Sequence, residues 1–150
     1  MEICYPSEED VKYVVEHLNK NEQLEIYCLV GNNILEDLLG GIEKSTVVGC
    51  AKDNGVPIAI YGLIKPAAIS ERYIVWGYFT DDIYKHRVIY GLHMKKAVKQ
   101  IVARYGCIYN YVPVASVEIS KWLRSLGAEF TGPYILGPFN VPHWCYEIRR

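Results

Sequence analysis

Asp53-Asn54-Gly55 stands between two runs rich in apolar and β-branched residues, Thr46 to Ala51 and Pro57 to Ile64. An Asn-Gly step tolerates the positive φ angles whose twist joins two antiparallel strands directly. A hairpin here is the firmest local expectation, and it commits the middle of the chain to antiparallel sheet. A third run, Tyr73 to Thr80, follows a loop and is expected to lie antiparallel beside 57–64. Asp81-Asp82 then introduces a long helix, predicted from about Tyr84 to Tyr105. Tyr90, Met94, Ala97, Val98, Ile101 and Val102 fall on one face of it at helical spacing.

The remaining elements arrange themselves around that centre. Ile3 and Tyr5 alternate with Glu2 and Cys4 in a short first strand. Ser7, with Asp10 three residues on, resembles a helix N-cap, and Val11, Val14, Val15 and Leu18 give the helix an apolar face. Residues 22–30 and 33–43 read as further helices, the second closing at Gly40-Gly41. After Gly106 come a strand over 107–112, a helix capped near Ser116, and closing strands at 128–131 and 143–148. The helix carries Ile119, Trp122, Leu123 and Leu126 inward and stops at Gly127. Gly132-Pro133 and Gly137-Pro138 read as turns between the last two strands. This order predicts a mixed α/β (α+β) fold with a central, mostly antiparallel sheet flanked by helices.

At 150 residues, with 51% hydrophobic and 22% charged residues, the chain reads as one domain over 1–150. That composition excludes a disordered or collagen-like chain. No apolar run reaches membrane-spanning length and no secretion signal opens the sequence, so a soluble protein is expected. Charge is uneven: residues 1–53 hold eleven acids against four bases, and 54–150 six acids against twelve bases. Lys85 to Arg104 is basic throughout, which suits a solvated helix face or an anion site. Duplex nucleic-acid binding would want a more basic domain than pI 6.4, so no nucleic-acid partner is expected. The five cysteines make no CxxC and are widely spaced, which argues for small buried hydrophobes and against a metal site. The thirteen tyrosines and three tryptophans would serve a core or a protein–protein surface.

The order of elements over 46–131 resembles the GNAT acyltransferase fold. In that family acetyl-CoA lies where a central strand splays from its neighbour, and its pyrophosphate meets a Gln/Arg-x-x-Gly-x-Gly/Ala loop opening the next helix. The matching window here is His86-Arg87-Val88-Ile89-Tyr90-Gly91, which keeps Gly91, puts Ile89 at the first glycine position and His86 at Gln/Arg. A second family motif maps onto Ser116 to Ala128, with Ser116 in the Asn position, Ile119 in the Ala position, Leu123 in place of the usual acid Tyr, and Gly127 retained. The sequence also resembles a GNAT-like family of tailed phages named internal virion protein A or acyltransferase. The shared segments are Ile60-Tyr61-Gly62, Trp76-Gly77-Tyr78-Phe79-Thr80-Asp81, His86-Arg87, Tyr105 to Val112, Trp122 to Gly127, Gly137-Pro138 and His143 to Arg150.

The resemblance implies a cofactor site for acetyl-CoA; from the residues themselves no metal is expected. Backbone groups of Tyr78, Phe79 and Thr80 would hold the pantetheine arm, His86, Arg87 and Gly91 the pyrophosphate, and Ser116 would face the pantetheine or thiol end. Ile89 would obstruct the phosphate, while Lys85 and Arg87 would partly offset the lost glycine. Catalytic residues stay unassigned: Tyr90, Tyr109 and Tyr111 are candidate acids, and Asp81, Asp82, Glu118, His86 and His93 candidate bases. Two functions follow. One is an N-acetyltransferase acting on a small-molecule or protein amine; the other is a non-enzymatic phage virion or host-interaction protein on the same scaffold. Either would reside in the host cytoplasm or the virion.

Overall fold

The computed structural model describes all 150 residues, beginning with strand β1 (Glu2–Cys4) and helix α1 (Glu8–Glu16). The Asp10 amide donates to Ser7 Oγ at 3.1 Å and the Ser7 amide to Asp10 Oδ2 at 2.9 Å. Ser7 is thus the N-cap that the sequence predicts, and the bond back to Asp10 makes the pair reciprocal. Helices α2 (Lys20–Val30) and α3 (Ile34–Lys44) follow. Helix α3 runs through Gly40-Gly41 instead of ending there. A Cβ at Gly41 would lie 3.3 Å from the Trp76 indole, so this glycine brings the helix onto the ring.

Strands β2 (Val47–Asp53) and β3 (Val56–Ile64) form the expected hairpin, with Asn54 at φ 51° and Gly55 at φ 79°. Strand β4 (Tyr73–Phe79) pairs antiparallel with β3 from Ala59↔Phe79 to Ile64↔Ile74, as expected. The long helix does not form in one piece. A single turn, α4 (Asp82–Lys85), is separated from α5 (Arg87–Tyr105) by His86 at φ −130°, ψ 54°. No proline or glycine marks this break, so the sequence gives no sign of it. On α5, Tyr90 and Val102 are buried, as the predicted apolar face requires.

Strand β5 (Cys107–Pro113), helix α6 (Val117–Ser125) and strands β6 (Glu129–Leu136) and β7 (Val141–Arg149) complete the chain. Strand β6 continues through Gly132-Pro133, where a turn is expected from sequence, with a register shift between Thr131 and Tyr134. As the outermost strand it can spare the amide that proline lacks. The seven strands run β1-β2-β3-β4-β5-β7-β6, antiparallel except where β4 meets β5. Val14, Leu38, Cys50 and Ile60 are fully buried between the sheet and α1–α3. On the α5 side Leu63, Val102, Ile108 and Ile148 form a second core. Each such side chain contributes about 1.5–3 kcal/mol by leaving water.

Candidate functional site

The parallel strands β4 and β5 pair only at Tyr73↔Ile108 and Ile74↔Tyr109, and then part. Asn110 Nδ2 donates to the Val75 carbonyl at 2.6 Å and closes the narrow end of the gap. The Thr80 amide bonds the Ile58 carbonyl at 3.0 Å, which fixes the phase of the β3–β4 ladder. Alternate residues of such a ladder turn their backbone groups to opposite edges. Gly77 and Phe79 therefore face the gap, while Tyr78 and Thr80 face β3. This corrects the sequence reading: of Tyr78, Phe79 and Thr80, only Phe79 offers its backbone to the opening, and Gly77 joins it. The Phe79 carbonyl already accepts the Asn19 amide at 3.1 Å. Thr80 is fully buried, its Oγ1 donating to Ile58. The Tyr78 hydroxyl donates to Asp37 on α3, and burial followed by that bond pushes the phenol far up from its ordinary range.

Beyond the wide end of the gap, α5 starts at Arg87 with no acid in its first turn. The Tyr90 amide closes the first intrahelical bond, to the His86 carbonyl at 3.1 Å. The amides of Arg87, Val88 and Ile89 belong to the helix start, whose partial positive charge attracts anions. Arg87 and His86 are exposed, the His86 ring edge-on to Tyr90 at 5.9 Å. A Cβ at Gly91 would meet nothing within 4 Å, so the space in front of it is open. Val88 and Ile89 also reach into solvent, at 77% and 57% exposure. The Lys85 ammonium is engaged by Asp82 at 2.6 Å.

Sequence reasoning missed the acids at the centre of the site. Glu22 and Glu25 sit one helical turn apart on α2, which packs against β5. Glu22 is 7% exposed, and burial, then the charge of Glu25, pushes its carboxyl up to about 8. Burial also raises Glu25, with the Ser116 hydroxyl pulling it partly back. Ser116 heads α6 but makes no capping bond, contrary to expectation. Neither carboxyl has a cation of the chain within ion-pair distance. Tyr84 on α4 is 40% exposed; its phenol is raised by partial burial and then by the charges of Glu22 and Glu25, with Arg87 acting in the opposite sense. Tyr146 on β7 is raised by burial and then by Glu22. The acids of α2 thus bear electrostatically on Tyr84 of α4 and Tyr146 of β7, and Ser116 of α6 bears on Glu25. The only sequence signal was two acids at helical spacing beside apolar residues, which any surface helix can show.

Most of the catalytic candidates read from sequence are engaged by other partners. Tyr90 donates to Asp53 Oδ2 at 2.6 Å beside the hairpin. Tyr109 lies under the Arg72 guanidinium at 4.2 Å, and Tyr111 meets Tyr134 edge-on at 6.4 Å. Asp81 accepts Asn19 Nδ2 at 3.0 Å, Glu118 faces Lys121 at 4.0 Å, and His93 is exposed on α5. Leu123 is a buried core residue. A cavity of about 740 Å³ between Arg72, Tyr105, Cys107 and Arg149 lies at the closed end of the β4–β5 pair and includes none of the convergent acids.

No protein-family model matches the chain, and no curated protein does. Solved structures match it along its whole length. Ribosomal-protein-alanine N-acetyltransferase from Brucella melitensis superposes with a TM-score of 0.70 at 15% identity, covering 100% of both chains. Spermidine N-acetyltransferase from Vibrio cholerae, in complex with CoA and spermine, gives 0.70 at 12% identity over 99% of this chain and 94% of that one. The protein smu.2055 from Streptococcus mutans gives 0.72 at 14% identity over 99% of each. The fold is that of the GNAT N-acetyltransferases, as the sequence order implied. No helix is long and apolar enough to cross a membrane. The strand splay, the acid-free start of α5 and the open space at Gly91 fit an acyl-CoA.

Proposed function

We propose that the chain is an acyl-CoA-dependent N-acyltransferase for a cationic amine. One observation carries the reading: on α2, which packs against β5, Glu22 is buried and Glu25 half-buried, and neither has a cation of the chain within ion-pair distance. An ammonium group entering there would supply the missing charge. The Vibrio cholerae relative is a spermidine N-acetyltransferase in complex with CoA and spermine, and a primary amine of that class suits this pair.

Acetyl-CoA, the expected donor, would supply the activated thioester when bound. The Phe79 amide and the Gly77 backbone would hold the pantetheine arm. Arg87 and the first amides of α5 would meet the pyrophosphate. Glu25, steadied by Ser116, would orient the ammonium, and Glu22 would take its proton. A carboxyl titrating at about 8 is matched to that task near neutral pH, where an ordinary glutamate is too weak a base. Tyr84, on which the acids and Arg87 act in opposite senses, would hold the proton needed by the leaving sulfur.

Calorimetry with CoA and acetyl-CoA, followed by acetyl transfer to spermidine and to a peptide N-terminus, tests the reading. Micromolar CoA binding and transfer that Glu22→Gln removes are expected. Absence of binding at millimolar ligand overturns it.

A second reading has its own support. Val88, Ile89 and Leu92 expose apolar side chains, Leu92 at 65%, on the turn that would meet phosphate. Such a surface suits protein contact on a scaffold without catalysis. The resemblance to the phage family, and a place in the virion or host cytoplasm, are compatible with either reading. The same calorimetry separates the two.

A further inference from the structure

At the opposite edge of the sheet, β1 and β2 pair with Cys4 directly across from Cys50. Nothing in the spacing of these cysteines suggests a meeting, because strand pairing alone brings residues 4 and 50 together. Asp10, the third residue of α1 and the partner of its N-cap Ser7, lies at the same spot. The ligand atoms of Cys4, Asp10 and Cys50 all lie within 4.8 Å of one another. We infer that these three side chains form a binding site for a zinc-type divalent ion, which would pin β1 and the start of α1 to the sheet.

The donor set and its surroundings support that assignment. A tetrahedral zinc ion with sulfur at about 2.3 Å and oxygen at about 2.1 Å holds its ligands roughly 3.5–3.8 Å apart. The three groups need to close by only about 1 Å to reach that geometry. Two thiolates select zinc, cadmium or cobalt over magnesium or calcium. Cys50 is fully buried and Asp10 nearly so, whereas Cys4 is half-buried and leaves a side open for entry and for a water as fourth ligand. Both carboxylate oxygens of Asp10 are already oriented, Oδ2 by the Ser7 amide at 2.9 Å and Oδ1 by Lys52 Nζ at 3.0 Å. Such outer contacts fix a metal ligand's direction. Two thiolates and a carboxylate overbalance a divalent ion by one negative charge, which the Lys52 ammonium offsets. Binding forms two metal–sulfur bonds and one metal–oxygen bond, releases one proton from each thiol to solvent, and changes no oxidation state.

The test uses the full chain, kept reduced with a phosphine and titrated with Co²⁺. A thiolate-to-cobalt charge-transfer band is expected to saturate at one ion per chain and to be bleached by Zn²⁺. Cys50→Ser and Cys4→Ser should each abolish the band. The half-buried Cys4 is the variant that spares the core, and Cys107→Ser should leave the band intact. No band at millimolar Co²⁺, or a band that survives Cys4→Ser, overturns the site. Loss of two free thiols in place of metal uptake would identify a disulfide and overturn it equally. The acyl-transfer reading is untouched by either result, since β1 lies three strands from β4.

Discussion

Replacing Glu22 by Gln separates the cost of the buried acid from its use. In the folded chain this carboxyl titrates at about 8, against 4.5 when exposed. A carboxyl whose folded value is raised favours the folded state while protonated. Its contribution is therefore full below about pH 4.5, declines as pH rises through the window up to 8, and is flat beyond. At roughly 1.4 kcal/mol per unit, the penalty at high pH is on the order of 5 kcal/mol, and relaxation around the charge lowers it to about 2–4. Gln keeps the shape and cannot ionise, so its stability lacks this slope. Urea unfolding of both proteins at pH 5, 7 and 9 measures the difference. The parent should lose about 2–4 kcal/mol relative to Glu22→Gln between pH 5 and 9. Acetyl transfer by Glu22→Gln should fall by about 10²–10⁴ in kcat while CoA affinity holds. Parallel stability curves would show that Glu22 is not withdrawn from water, and the argument for a tuned base would fail with it.

Other substitutions probe the remaining parts. Arg87→Glu should weaken CoA binding at least tenfold in calorimetry, while Ile89→Gly should tighten it and lower helix stability by about 1 kcal/mol. Tyr84→Phe should reduce kcat with little change in KM, because only the hydroxyl is removed. Gly62→Ala should lower stability by about 1–3 kcal/mol in thermal or urea unfolding, as overpacking does. A Cβ there would stand 2.6 Å from Trp76 Cζ2 and 2.8 Å from Ser45 Oγ, disturbing the bond between the Trp76 indole and Ser45.

Where local chemistry decides structure, the sequence was readable. Asn54-Gly55 specifies its turn through backbone preference, and Ser7 with Asp10 specifies a helix start through two hydrogen bonds. The apolar spacing of α5 and α6 likewise needs no partner to be recognised. The misreadings share a different cause. Gly40-Gly41 looks like a stop until Trp76 is placed against it, and Gly132-Pro133 looks like a turn until β6 proves to be an edge. The break at His86 has no local signal at all. Glu22 differs from other helical acids only in its burial, which follows from the packing of α2 against α3 and the sequence-distant β5. The same holds for Cys4 and Cys50, joined only by strand register.

The degenerate glycine motif and the buried acids bear unequally on function. Helix-start amides attract an anion whatever side chains follow, and glycine in the motif governs only how closely a phosphate approaches. Ile89 is more than half exposed and sits in the first turn, so its branch can crowd a phosphate without removing the amides or Arg87. Its presence lowers affinity; it does not abolish the site. The acids carry the opposite logic. Withdrawing Glu22 from water costs stability at every pH above its exposed value, and no cation of the chain offsets the charge. A fold that needed only a packed helix there would be more stable with glutamine or leucine. Groups held at such a cost, on a helix packed against β5, mark where a ligand supplies what the chain lacks. A cationic amine supplies both the charge and the proton that Glu22 is tuned to take.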